Sequence, residues 1–275
     1  MRINNKIVSE SFSVSESGNN ISDNIEALRA ISSLIEFCSQ IGDIISYDDE
    51  LFYQVVDNDG TIFADWLYGN TSGLEKDAID YFSSLLRQKC TKEHDGDTTI
   101  EIGLPCNTKY VGRFEEYKQE RCSIMEKLVD KSEFVDMAQK SFPNLLFSNT
   151  CFVNMKKEMV GDTTVRRQMV KILAFLDKDQ GNTYRSCNND IELSLRSMES
   201  LVGITCATDP KHKDDLMFDF TIQNSNAVAT KKICCHIHFK ILRDDSNYRL
   251  YFWWNDEKLD NKGKIPIGYI DGHPY

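Results

Sequence analysis

Between Ile233 and Ile241 the chain reads ICCHIHFKI, and these residue types ligate metals and move protons. In an extended strand, successive side chains alternate between faces. Cys234, His236, His238 and Lys240 therefore share one face, and Cys235, Ile237, Phe239 and Ile241 the other. A His-x-His pair of this kind could hold zinc or another transition metal, with Cys234 or His273 completing the shell. No second cluster with ligand spacing supports it, so the primary expectation is metal-free, with Cys234, His236 and His238 as the alternative zinc set. Without a metal, the same imidazoles are general acids and bases, because histidine titrates near neutrality.

Further on, YRLYFWWND places Arg249, Tyr251 and Trp253 on one face of a strand. If that face is also the histidine face, guanidinium, ammonium and imidazole groups converge. Such a set suits an RNA phosphodiester, whose cleavage needs a base for the 2′-hydroxyl, a cation for the phosphorane and an acid for the leaving oxygen. Lys240, Tyr251 and Trp253 are the candidate substrate contacts, the aromatic rings being able to stack on bases. The structural alternative is a strand packed on both faces, with its histidines individually satisfied.

The last strand runs into a terminal His-Pro-Tyr in KIPIGYIDGHPY. A strand opening aromatic-Arg-Leu, an acidic turn, and a final strand ending in histidine and tyrosine resemble the tail of the RelE/YoeB type of bacterial ribonuclease toxins. The likeness runs from Tyr248 to Tyr275, with Pro274 standing between His273 and Tyr275. It implies that Arg249 stabilises the phosphate, that His273 acts as acid and that Tyr275 positions the substrate. The catalytic expectation is thus His236, His238, Arg249, His273 and Tyr275. The C-terminal half also resembles uncharacterised bacterial proteins found beside antiviral defence genes. That likeness implies a defence-associated or toxin-like effector that binds or cleaves RNA, with a protein partner. The alternative is a non-catalytic subunit of a multi-protein defence complex.

Composition bounds these readings. With 275 residues, 41% hydrophobic and 27% charged, the chain is a globular protein with a substantial core. It lacks the apolar run of a signal peptide or membrane span, which predicts a cytoplasmic protein. Its nine cysteines are odd in number and scattered without a C-x-x-C pair, so they read as small buried hydrophobes. A net charge of -11 excludes whole-surface attraction to nucleic acid or anionic lipid. Residues 231–275 carry eight Lys/Arg against six Asp/Glu, while residues 1–230 carry 24 against 37.

The elements that must position the site follow from periodicity. Residues 1–20 are polar and read as a flexible lead-in. Residues 21–108 read as a small α+β unit: a helix through Ile25, Leu28, Ile31 and Ile35, a hairpin around Asp57-Asn58-Asp59-Gly60, a helix over Leu74–Lys89, and a strand before Pro105. The Asp57–Gly60 stretch is not a calcium loop, because Val55 and Trp66 fall at its outer ligand positions. Residues 109–275 read as a helical layer followed by an antiparallel β-meander, giving an α+β fold. In that layer Ser132 is the expected cap of a helix ending near Phe142. Two further amphipathic helices run through Val165–Leu176 and Ile191–Val202.

Overall fold

The computed structural model describes residues 1–14, 25–69, 74–92, 95–105, 107–224, 227–242, 246–254 and 263–274. The fold is α+β. The chain divides into two compact units, Met1–Arg121 and Cys122–Tyr275. The division falls inside a helix, C-terminal to the boundary expected between residues 108 and 109. No helix among the described residues is long and apolar enough to cross a membrane.

The first unit is built on three parallel strands, β1 (Ile3–Ile7), β2 (Ile44–Tyr47) and β3 (Thr98–Ile102), in the order β2-β1-β3. Parallel neighbours require crossovers, supplied here by α1 (Ile25–Gln40) before β2, and by α2 (Phe63–Tyr68) and α3 (Leu74–Lys89) before β3. Two expectations are corrected. The start of the supposed lead-in forms the central strand. Asn4 and Asn5 are buried there, and Asn5 Nδ2 donates to the Ile44 carbonyl at 3.1 Å, so polar composition concealed a core element. Residues 15–20 lie outside the described residues. The second correction concerns the hairpin. Its turn exists: Asp57 Oδ1 accepts from the Asp59 and Thr61 amides and Gly60 takes φ +84°. Its arms, however, are a 3-10 turn at Asp49–Tyr53 and α2, joined by one bridge between Val55 and Ile62. Phe63, Trp66 and Leu67 are buried at helical spacing, and that period prevails over strand alternation.

The second unit begins within α4 (Phe114–Met125) and continues through α5 (Lys131–Ser141), α6 (Lys157–Gly161), α7 (Thr163–Asp179), α8 (Asn182–Ser186) and α9 (Ile191–Val202). The cap of α5 is Asp130, whose Oδ1 accepts from the Glu133 amide, rather than Ser132, one residue inside the helix. α7 is capped by Asp162 and buries Val165, Met169, Ile172, Leu173 and Leu176.

Among the described residues its strands are β4 (Leu145–Phe147), β5 (Cys206–Thr208), β6 (Met217–Asn224), β7 (Ala227–Cys234), β8 (Ile237–Lys240), β9 (Arg249–Phe252) and β10 (Ile265–Asp271). β8, β9 and β10 form the expected antiparallel meander inside a five-stranded sheet of order β4-β10-β9-β8-β5, in which β4 runs parallel to β10. The run KKICCHIHFKIL is not one strand. It breaks at Cys235-His236, so that β7 pairs with β6 in a separate hairpin and β8 joins the main sheet. The break lets the hairpin pack on the sheet. Leu216, Phe218, Phe220, Ile222 and Ile233 form one buried cluster with Cys235, Tyr251 and Tyr269. The opposite sheet face meets helices: the Phe239 ring lies 6.5 Å from Phe175, and Trp254 stacks on Tyr184 at 4.0 Å.

Candidate functional site

Strand pairing brings the candidate side chains together. His238 lies opposite Tyr251 across β8 and β9, and Lys240 lies opposite Arg249. Across β9 and β10, Tyr251 faces Tyr269 and Arg249 faces Asp271. One irregularity makes this register possible. Ile267 pairs with Phe252 and Tyr269 with Tyr251, so Gly268 is an extra residue, a bulge that turns Tyr269 and Asp271 toward the histidine face. A Cβ at Gly268 would stand 2.4 Å from Phe218 Cδ2, which is why the bulge residue there is glycine.

The group at the centre is one the sequence reading did not include. Asp209 follows β5, and its amide donates to the His236 carbonyl at 2.9 Å, fixing the carboxylate over the start of β8. The Tyr251 hydroxyl donates to Asp209 Oδ2 at 3.1 Å and lies 2.9 Å from His273 Nδ1. His238 Nδ1 stands 3.3 Å from the same Asp209 oxygen without the alignment of a hydrogen bond. The His238 and His273 rings are 6.5 Å apart. Asp209, Tyr251, His273 and His238 thus form one contiguous cluster.

Burial separates the members. His273 is exposed, whereas His238 is 2% and His236 5% exposed. Burial lowers the pKa of His238 to about 4, Asp209 opposing the shift and Arg249, Lys240 and His273 adding to it. Burial likewise lowers His236 to about 4, with a contribution from Lys213. His273 is lowered by desolvation first, then by Arg249, with Asp209 pulling the other way. All three rings are therefore neutral at pH 7, and the contact between His238 and Asp209 is not an ion pair.

Arg249 is 8% exposed. One terminal nitrogen donates to the Tyr248 carbonyl at 2.8 Å, while Nε is buried without a hydrogen-bond partner among the described residues. Asp271 Oδ1 and Thr208 Oγ1 are buried and unpaired in the same way. Among the described residues no carboxylate comes within ion-pair distance of Arg249 or Lys240. Buried donors without partners are rare in folded proteins, so the Arg249 Nε stands out at this cluster.

The other candidates are placed differently. His236 stacks on Trp253 at 4.5 Å, and its Nδ1 lies 3.5 Å from Cys234 Sγ, a pair away from the Asp209 cluster. Among the described residues no group of three His, Cys, Asp or Glu side chains is placed to hold a metal ion. Cys234, His236 and His238 are thus not assembled as a zinc shell. Tyr275 lies outside the described residues. Asp209 carries one weak sequence signal, an Asp-Pro dipeptide closing a short apolar run. Nothing in that dipeptide indicates which strand it reaches. No family model, no curated protein and no solved structure matches the chain.

Proposed function

We propose that the second unit binds RNA at the face formed by His273, Arg249 and Lys240 and cleaves it without a metal. The chain would act as a bacterial, cytoplasmic, toxin-like or defence-associated effector. The observation that carries this reading is Arg249, a nearly buried cation with an unsatisfied Nε that makes no ion pair among the described residues, its cross-strand neighbour Asp271 included, on the same face as an exposed imidazole. A phosphate is a counter-charge for such a cation, and guanidinium is the side chain best matched to it.

In this reaction a neutral His273 takes the 2′-hydroxyl proton and the 2′ oxygen attacks phosphorus. Arg249 faces the charge that develops on the phosphorane. The bond from phosphorus to the 5′ oxygen breaks, and the Lys240 ammonium protonates that oxygen. The products are a 2′,3′-cyclic phosphate and a 5′-hydroxyl end. His236 and His238 are too deeply buried to reach substrate and serve as packing for the site.

That burial also favours a second reading, a non-catalytic subunit of a protein complex whose C-terminal strand closes a core. Incubating purified protein with a labelled RNA, and with a copy carrying a single deoxynucleotide at the scissile position, separates the two. Cleavage that leaves cyclic phosphate, stops at the deoxynucleotide and falls roughly 10²- to 10⁴-fold in His273→Ala is the expected result. Identical patterns from wild type and His273→Ala overturn the catalytic reading and leave the subunit.

A further inference from the structure

We propose that Asp209, acting through the Tyr251 hydroxyl, is a positioning residue that holds the His273 proton on Nδ1 and makes Nε2 the proton acceptor. The catalytic meaning of this inference rests on the function proposed above, but its geometry stands apart from it. A carboxylate accepts hydrogen bonds and cannot donate them, and a phenol has one proton. The Tyr251 hydroxyl points at Asp209 Oδ2 at 3.1 Å, so its proton is committed there. At 2.9 Å from His273 Nδ1, the tyrosine oxygen then serves as acceptor, and Nδ1 is the nitrogen that donates. The second nitrogen, Nε2, carries the lone pair. Which ring nitrogen bears the proton is set by the bond the other one makes.

The arrangement also assigns His273 a role opposite to the one the family resemblance implied. A neutral ring with its proton on Nδ1 is a base before the reaction, not an acid. Once Nε2 takes a proton, the imidazolium charge is stabilised by Asp209 through the tyrosine bridge. The charged and titratable groups facing His273 are Asp209, Arg249, Lys240, His212 and His238. Of these, Asp209 alone favours the protonated ring.

The test is nitrogen NMR of the histidine side chains in the full chain, followed across a pH titration. Wild type is expected to show His273 with its proton on Nδ1. In Asp209→Ala the tyrosine proton is released to turn toward His273, and in Tyr251→Phe the bridge is gone. In both variants the Nδ1-protonated signature should be lost, and the His273 pKa should shift downward in Asp209→Ala. A wild-type ring protonated on Nε2 overturns the inference, and so does an unchanged signature in a folded Asp209→Ala. The wild-type measurement needs no variant to fold. Wild type that shows the expected tautomer but leaves RNA intact would sink the nuclease reading while the positioning role stands.

Discussion

Each unit places a tyrosine hydroxyl between an aspartate and a nitrogen-bearing side chain, and the two arrangements end differently. In the first unit Tyr117 donates to Asp43 Oδ2 at 3.1 Å and accepts from Arg121 at 3.1 Å, while Arg121 and Asp43 also pair directly. All three are sealed: the side chains of Arg121 and Asp43 are 1% and 5% exposed, and Tyr117 is fully buried. Every charge there has its counter-charge. In the second unit Tyr251 makes the same bridge, but its far end is an exposed imidazole and the adjacent Arg249 has an unsatisfied nitrogen. A closed triad holds structure together. An open one leaves an exposed imidazole at its end, which is the difference the proposed function draws on.

The largest expected effect tests the closed triad. Replacing Arg121 by Met strands Asp43 as a buried, uncompensated charge, which costs about 3–5 kcal/mol. Urea denaturation should show that loss, whereas Asp209→Ala, at a partly exposed site, should stay within about 1 kcal/mol of wild type. If Asp209→Ala were as costly as Arg121→Met, the second cluster would be a structural bridge like the first.

Acid should next reveal the buried rings of the second unit. His236 and His238 are held near pKa 4 in the folded state, below the ordinary 6.5. The unfolded chain therefore binds protons that the folded chain refuses. Their contribution to stability is complete above pH 6.5 and is lost as pH falls toward 4. The loss by pH 4 amounts to roughly 3 kcal/mol for a ring realising the whole shift. Melting temperatures of wild type and His238→Gln should converge on acidification. Parallel curves would mean that the His238 ring is already hydrated.

The hairpin over the sheet gives a smaller, local test. Gly268→Ala forces a methyl against Phe218 and Cys235, and overpacking of this kind costs about 1–3 kcal/mol. A hairpin lifted from the sheet would admit water to His238 and raise its pKa, visible in the same histidine titration. Destabilisation without any change in that titration would show that the hairpin does not shield the ring.

These comparisons also show what was legible in the sequence. Helical periodicity placed α1, α3, α7 and α9 because their buried residues repeat within a single element. Strand alternation put His236 and His238 on one face and Arg249, Tyr251 and Trp253 on another, and pairing of β8 with β9 makes those faces coincide. What escaped was non-local. β1 is polar in composition yet central, because its partners lie roughly forty and ninety residues away. Asp209 reaches Tyr251 across 42 residues, through the edge position of β5. The break at Cys235-His236 has no local marker; it follows from a hairpin that must fold back over Tyr251 and Tyr269.

Cysteine chemistry supplies the smallest effect and compares the two units once more. Each has a thiol in contact with a titratable ring, Cys38 with Tyr117 and Cys234 with His236. Burial pushes the Cys38 thiol up to about 12, and burial also raises Cys234, though Lys213 pulls it back. A thiolate nucleophile needs the opposite environment, a cation that outweighs desolvation. His236 cannot supply that cation, because its own ring is kept neutral. The Cys234–His236 contact is therefore a neutral pair, not an activated dyad. Iodoacetamide should label Cys234 slowly at pH 7 and Cys38 only on unfolding, and Cys234→Ser should change stability by no more than about 0.5 kcal/mol. Rapid labelling of Cys234 in the folded protein would mean that the imidazole beside it is charged, and the division between buried support and exposed site in the second unit would have to be redrawn.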